Sequence, residues 1–235
     1  MIPISVINES TVYSEEEALA TMHALQSQWN KNLAPVWGLD QSTFTYLGKG
    51  KKPAPGNWWV VFLDNSDQAG ALAYHDVTND GFPLSKVFVK TILGDNSSVS
   101  VGASHECCEM AVDPTINLAA QDPDGLFWAY EVCDPVEDDS YGYKIGDVLV
   151  SDFVTPAWFG FQGSEGKPLD YQKKTTAPFQ VLSGGYAQNN NGQGWTQVTG
   201  ERARQFARLV KPPVGSRRDL RVRGRGMLTY STHKF

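Results

Sequence analysis

His105-Glu106-Cys107-Cys108-Glu109-Met110-Ala111-Val112-Asp113-Pro114 brings one imidazole and three carboxylates within about three helical turns. At about 100° per residue, His105 and Glu109 lie one turn apart on one helix face, and Glu106 projects roughly a quarter turn away. Nitrogen and oxygen donors clustered in this way form metal sites. Pro114 biases Asp113 towards an extended conformation, so the helix is expected to end near Val112, with Asp113 opening the exit. Ligands on three successive turns of one straight helix would spread over about 12 Å, too far for a single ion. Asp113 is therefore expected to orient a ligand from behind.

Working outward, Ile2 to Ile7 is rich in β-branched residues and reads as a first strand. Ser14-Glu15-Glu16-Glu17 supplies a Ser-x-x-Glu capping box for a helix whose apolar stripe is Ala18, Met22, Leu25, Trp29 and Leu33, ended by Pro35 and Gly38. Strand-like runs follow at Thr43 to Leu47, Trp58 to Leu63, Ala69 to Val77 and Lys86 to Ile92. The loops at 48–56 and 65–67 are expected to be hairpin connections. Asn96-Ser97-Ser98 can cap the helix that carries His105. Beyond it come an aromatic strand-like segment from Leu126 to Pro135, an acidic loop at 137–139 and a short strand from Val148 to Val154. The chain past Trp158 reads as loop-rich, with a candidate helix from Thr199 to Val210.

The expected class is α+β: a mixed twisted sheet packed on two main helices, a loop-rich C-terminal part and a basic extended tail. One domain over 1–212 is expected, with halves at about 1–114 and 115–212, followed by a basic extension at 213–235. With 235 residues, 41% of them hydrophobic, the chain can bury one sizeable core. Its start has neither a basic segment nor a long apolar run, so no signal peptide is expected, and no stretch reaches the roughly 18 apolar residues of a membrane span. Cys107, Cys108 and Cys133 cannot all pair within the chain and read as reduced, buried thiols, although Cys108 shares the side of the helix that carries His105 and Glu109. A cytoplasmic location is expected, or a virion one if the chain is phage-encoded.

The net charge of -6 conceals an asymmetry. Ten Lys or Arg and only two acids fall between Glu201 and Phe235, leaving the body at about -14 and this segment at about +8. Arg217-Arg218-x-x-Arg221-x-Arg223-x-Arg225 could bind phosphates or add a strand to a partner. The acidic body argues against nucleic acid, so the segment 213–235 is expected to dock on the chain's own body or, preferably, on another copy in a homo-oligomer or larger assembly.

The order of strands and helices, together with Ser104-His105-Glu106-x-x-Glu109-x-x-x-Asp113-Pro114, resembles the N-terminal half of zincin metallopeptidases over roughly residues 2 to 135. It is also similar to a branch in phage and bacterial sequences in which a His-Glu-x-x-Glu helix ends in Asp-Pro and is followed by Glu-x-x-Asp, here Glu131-Val132-Cys133-Asp134. The resemblance implies His105 and Glu109 as metal ligands, Glu106 as general base, and a peptide or protein substrate. Glu131 is the first choice for third ligand, with Asp134 and Asp113 as alternatives. A metal lowers the pKa of water, and a neighbouring carboxylate takes the proton and returns it to the leaving amine. The departure from the family is Glu109, which stands where a second histidine would. One imidazole and two carboxylates bring a +2 ion close to zero net charge, and such hard donors admit manganese or calcium beside zinc.

Other candidates in the sequence are weaker. His75 in Tyr74-His75-Asp76 could line a cleft from the neighbouring strand, but its first reading is a satisfied surface histidine. A Ser104/His75/Asp76 triad lacks any nucleophile elbow. The Gly184-Gly185 and Gly192/Gly194 segments lack the Lys-Ser/Thr of a phosphate loop. The rival to a hydrolase is a non-catalytic structural or interaction protein, for example a phage virion component, that retains the scaffold and assembles through its tail.

Overall fold

β-Branched residues make the first strand, β1 (Ile2–Asn8), and bury Ile4 and Val6 completely. The computed structural model describes residues 1–67 and 71–201, and the backbone of 228–230. In α1 (Glu15–Gln28), Ser14 Oγ accepts the Glu17 N–H at 3.2 Å while the Glu17 carboxylate accepts the Ser14 N–H at 2.8 Å, the reciprocal cap expected from Ser-x-x-Glu. Ala18, Met22, Leu25, Trp29 and Leu33 are all buried, as their spacing requires. The helix does not stop at Pro35. It runs on through a π-helical turn (Trp29–Leu33), where the Ala34 N–H reaches back to Trp29 O, and a last α-turn (Ala34–Trp37) that holds Pro35 in its first positions. Gly38, at φ 68°, closes it in the left-handed conformation that glycine adopts at no steric cost.

Four further strands, β2 (Ser42–Leu47), β3 (Trp58–Leu63), β4 (Ala73–Val77) and β5 (Pro83–Phe88), complete a mixed sheet in the order β2-β1-β3-β5-β4. β2, β1, β3 and β5 run parallel, and β4 is the antiparallel outer strand. This corrects the two expected hairpins: β2 and β3 flank β1 in parallel, and β5 separates β3 from β4. The hairpin of this sheet joins β4 to β5 through 78–82. The run expected as a strand from Lys86 to Ile92 divides instead, because the chain leaves β5 at Phe88 and turns into the short helix α2 (Val89–Gly94).

α1 packs against β2 and β1, and α3 (Val99–Val112) packs against β5 and β4 and touches α1. Two helices thus cover one face of the sheet. α3 is buried all round from Ala103 to Val112, so it behaves as a core helix with polar groups facing inward. It ends where Pro114 requires, with Asp113 at φ -125°, ψ 70°.

β6 (Leu118–Gln121) and β7 (Phe127–Ala129) form a hairpin, and β8 (Tyr143–Ile145) pairs with β9 (Val148–Val150). The glycine- and asparagine-rich region expected as loop contains a second hairpin, β10 (Tyr186–Asn190) and β11 (Trp195–Thr199), which extends the sheet through β7. β11 ends where the helix from Thr199 to Val210 was expected to begin, and the rest of that helix lies outside the described residues. Most of the 213–235 tail lies outside them too. Its backbone at β12 (Leu228–Tyr230) pairs in parallel with β6.

One apolar cluster runs from Ile4, Leu25 and Val60 through Met110 to Trp128, Phe153 and Trp158, so both sheets share a core. The class is α+β, as expected. No helix among the described residues is long and apolar enough to cross a membrane.

Asp113 serves the exit from α3. Its carboxylate accepts the N–H groups of Asn117 at 3.0 Å and Leu118 at 2.9 Å, folding the chain back into β6. Asp113 belongs to neither of the three-donor groups described below. Asp113→Ala should lower unfolding stability by about 2–4 kcal/mol, because it strips the acceptor from two N–H groups in the turn. Metal content should not change. Chemical denaturation followed by fluorescence, with metal analysis of the same sample, checks both parts.

Candidate metal centre

α3 presents His105, Glu106 and Glu109 on its inward side, at 8%, 5% and 0% exposure. Burying such groups costs free energy unless each is hydrogen-bonded, paired or metal-bound. The Glu109 carboxylate organises the neighbourhood. Its Oε1 accepts the backbone N–H of Cys133 at 3.1 Å and of Asp134 at 3.3 Å, pinning the segment after β7 onto α3. That segment brings Asp134 Oδ1 to 3.1 Å from His105 Nε2, and Glu109 Oε1 itself stands 3.4 Å from the same nitrogen.

Two other contacts hold the segment from outside. Leu182 N–H donates to Pro135 O at 2.9 Å, and a Cβ added at Gly185 would lie 2.6 Å from that oxygen and 2.7 Å from Asp134 O. The Gly184-Gly185 run thus lets the backbone press directly against the Asp134 turn. Trp37 packs on Tyr130 and donates its indole N–H to Val154 O, fixing the residue that precedes Glu131.

The opposite wall comes from the sheet. His75, on outer strand β4, points at α3 and is 1% exposed, which corrects the expectation of a surface histidine. Its Nδ1 lies 3.0 Å from Glu106 Oε2 and 3.4 Å from Glu109 Oε2, and its Nε2 lies 3.5 Å from Glu131 Oε2. The two oxygens of Glu109 therefore face different histidines.

The donors fall into two groups, His105/Glu109/Asp134 and His75/Glu109/Glu131, whose ligand atoms all lie within 4.8 Å of one another in each. Two donors about 2.1 Å from one ion stand at most about 4.2 Å apart, so little closure is needed for either group to hold one. Both groups are buried and could hold a metal ion. Glu131, the first choice to complete the His105/Glu109 set, sits with His75, and Asp134 takes the position beside His105. No cysteine belongs to either group. Cys107, Cys108 and Cys133 are free and buried, and burial pushes all three thiols up, away from the thiolate form that ligation needs. Ser104 Oγ accepts the Ser151 N–H at 2.7 Å, a structural role.

Burial works against the charged form of His105, yet the Glu109 and Asp134 carboxylates outweigh it and hold the imidazole well above its usual range. Metal binding at this group would have to displace a proton from the ring.

A second buried acid pair lies nearby. Burial, reinforced by the facing Asp170 carboxylate, pushes Asp152 up to about 8. Burial also opposes ionisation of Asp170, but hydrogen bonds from Asp152, Thr175 and the Lys174 N–H hold it below the ordinary range. The two carboxyls thus share their charge unequally, with Asp152 the one favoured to hold a proton. Because the folded value exceeds the unfolded one, this contribution is complete below about pH 4 and is lost as pH rises towards about 8. Asp152→Asn keeps the donor and removes the titration. Its stability relative to wild type should therefore improve by at least about 1 kcal/mol between pH 5 and pH 8, as read by urea midpoints across that range.

An α+β chain with a buried histidine–carboxylate cluster between its second main helix and the outer strand of its sheet is a candidate metalloprotein. Comparison with protein-family models, curated proteins and solved structures gave no match.

Proposed function

We propose that this protein is a zincin-like, divalent-metal-dependent hydrolase acting on peptide bonds. The observation that carries the reading is the placement of Glu106 beside the His105/Glu109/Asp134 group on one helix, with His105 and Glu106 the two members of the cluster nearest to solvent. The mixed sheet, the helix stripe and the His-Glu-x-x-Glu helix at the sheet support the zincin-like assignment. His105, Glu109 and Asp134 would hold the ion, with zinc the first choice and manganese or calcium compatible with the oxygen-rich donors. The bound ion supplies Lewis acidity, polarising a carbonyl and lowering the pKa of water.

The chain's own groups do the rest. Glu106 takes a proton from the attacking water and delivers it to the departing amine. His75, 3.0 Å from Glu106 Oε2, fixes the rotamer of that carboxylate. Peptide as the substrate class is supported by β4, the outer strand of its sheet among the described residues, since the edge of such a strand can offer backbone donors and acceptors to an extended chain. The test is cleavage of a broad peptide library by metal-loaded protein, with and without a chelator. Cleavage that chelation stops supports the reading, and an intact library at full metal loading refutes it.

One observation favours a second reading. Glu109, Glu131, Asp134 and His75 are at most 2% exposed, a depth that suits an ion clamping α3, β4 and the segment 131–134 together without turnover. A structural or interaction protein of that kind would assemble through residues 213–235. Solution size of the full chain against a 1–212 truncation tests it, since equal monomers in both would remove the assembly role.

A further inference from the structure

Resting on the reading of a metal centre at His105, we propose that the cluster is dinuclear: a second divalent ion is held by His75, Glu109 and Glu131, and Glu109 bridges the two. The geometry supplies the bridge. Glu109 Oε1 stands 3.4 Å from His105 Nε2, while Oε2 turns to the His75 ring, 3.4 Å from Nδ1, and donor atoms of His75, Glu109 and Glu131 lie within 4.8 Å of one another. Each imidazole has a further acid of its own, Asp134 Oδ1 at 3.1 Å from His105 and Glu131 Oε2 at 3.5 Å from His75. Two histidines and a shared carboxylate, each completed by a separate acid, form two three-donor sets, where one ion would need a single set.

An independent observation points to the same place. His75 Nε2 is buried and makes no hydrogen bond, although it lies beside Glu131. Ser85 is opposite His75 across the β4–β5 pair, so both side chains project to the same face of the sheet. Its hydroxyl is also fully buried without a hydrogen-bond partner. Two unsatisfied polar atoms on the sheet side of the cluster are costly as they stand. An ion there would engage the imidazole directly and allow a coordinated water to reach the hydroxyl. His75 Nδ1, 3.0 Å from Glu106 Oε2, is placed to donate to that carboxylate, and a ligating imidazole commonly has its other nitrogen held in this way.

The experiment is titration of the metal-free full chain with Mn2+, followed by electron paramagnetic resonance and by element-resolved analysis after desalting. The expected result is saturation at two equivalents with the spectrum of an exchange-coupled pair. His75→Gln and Glu131→Gln should each fall to one equivalent with an isolated-ion spectrum, and so should His105→Gln. Saturation of wild type at one equivalent, unchanged in His75→Gln and Glu131→Gln but lost in His105→Gln, would overturn the second ion and leave the single-ion reading intact. No retained ion in wild type would overturn both. Two equivalents without coupling would overturn the Glu109 bridge. The wild-type titration alone decides between these outcomes even if a variant fails to fold.

Discussion

Glu106→Gln is expected to lower kcat for peptide cleavage by about 10²- to 10⁴-fold while leaving metal content unchanged. The amide nearly matches the carboxylate in shape, and its oxygen can still accept from His75 Nδ1, 3.0 Å away in the native arrangement. Only the capacity to take and return a proton is removed. Glu106 belongs to neither three-donor group, so the ligand sets are untouched. KM should change little, because the group acts on the proton in transit and not on substrate binding. A variant that loses metal along with activity would show that Glu106 is a ligand, and a fully active variant would show that the base lies elsewhere. Single-turnover cleavage with metal analysis of the same preparation separates these cases.

Glu109→Gln should have the largest effect on metal affinity, weakening it by more than about 100-fold. Removing a group that merely orients a ligand typically costs 10- to 100-fold, and Glu109 faces both histidines directly. The variant should also be less stable. The native carboxylate holds the Cys133 and Asp134 N–H groups, and a neutral amide oxygen accepts them more weakly. Affinity should fall even where the fold survives, because the amide presents one oxygen in place of two. Competition with a metal-chelating dye, alongside thermal unfolding with and without added metal, measures both consequences. Metal should raise the wild-type Tm, since it binds the folded chain preferentially, and should leave the variant's Tm nearly unmoved.

The part of the site that lies on one helix was legible in the sequence. Helical periodicity places His105, Glu106 and Glu109 without knowledge of any partner, and Asp113-Pro114 marks where α3 stops. The capping box at Ser14 and the stripe from Ala18 to Leu33 were legible for the same reason: short-range spacing determines them. His75 was not. It sits on a five-residue strand with no spacing relation to α3, and only the β4–β5 pairing and the packing of α3 across both strands bring it to Glu106 and Glu109. The period-two pattern of β4 offered the available signal, since it puts His75 on the same face as Ala73 and Val77.

The division of Glu131 and Asp134 between the two histidines was hidden for a related reason. Both lie on a separate segment, and which of them reaches His105 depends on the two N–H groups that Glu109 accepts, a tertiary detail. The parallel placement of β2 and β3 around β1 was hidden because loop composition reports a turn without saying which strand the chain joins next. The β10–β11 hairpin was hidden because its asparagine- and glycine-rich sequence has little strand propensity, and pairing with β7 overrides that preference.

The claim on which the rest depends is that the buried histidine–carboxylate cluster holds a divalent metal. Element-resolved analysis of the native full-length protein, purified without chelators and compared with Glu109→Gln prepared in parallel, tests it most directly. The wild-type chain is expected to carry at least one equivalent of divalent metal, and the variant to lose it almost completely. A folded wild-type chain with no stoichiometric metal, and none taken up from added zinc or manganese, would contradict it.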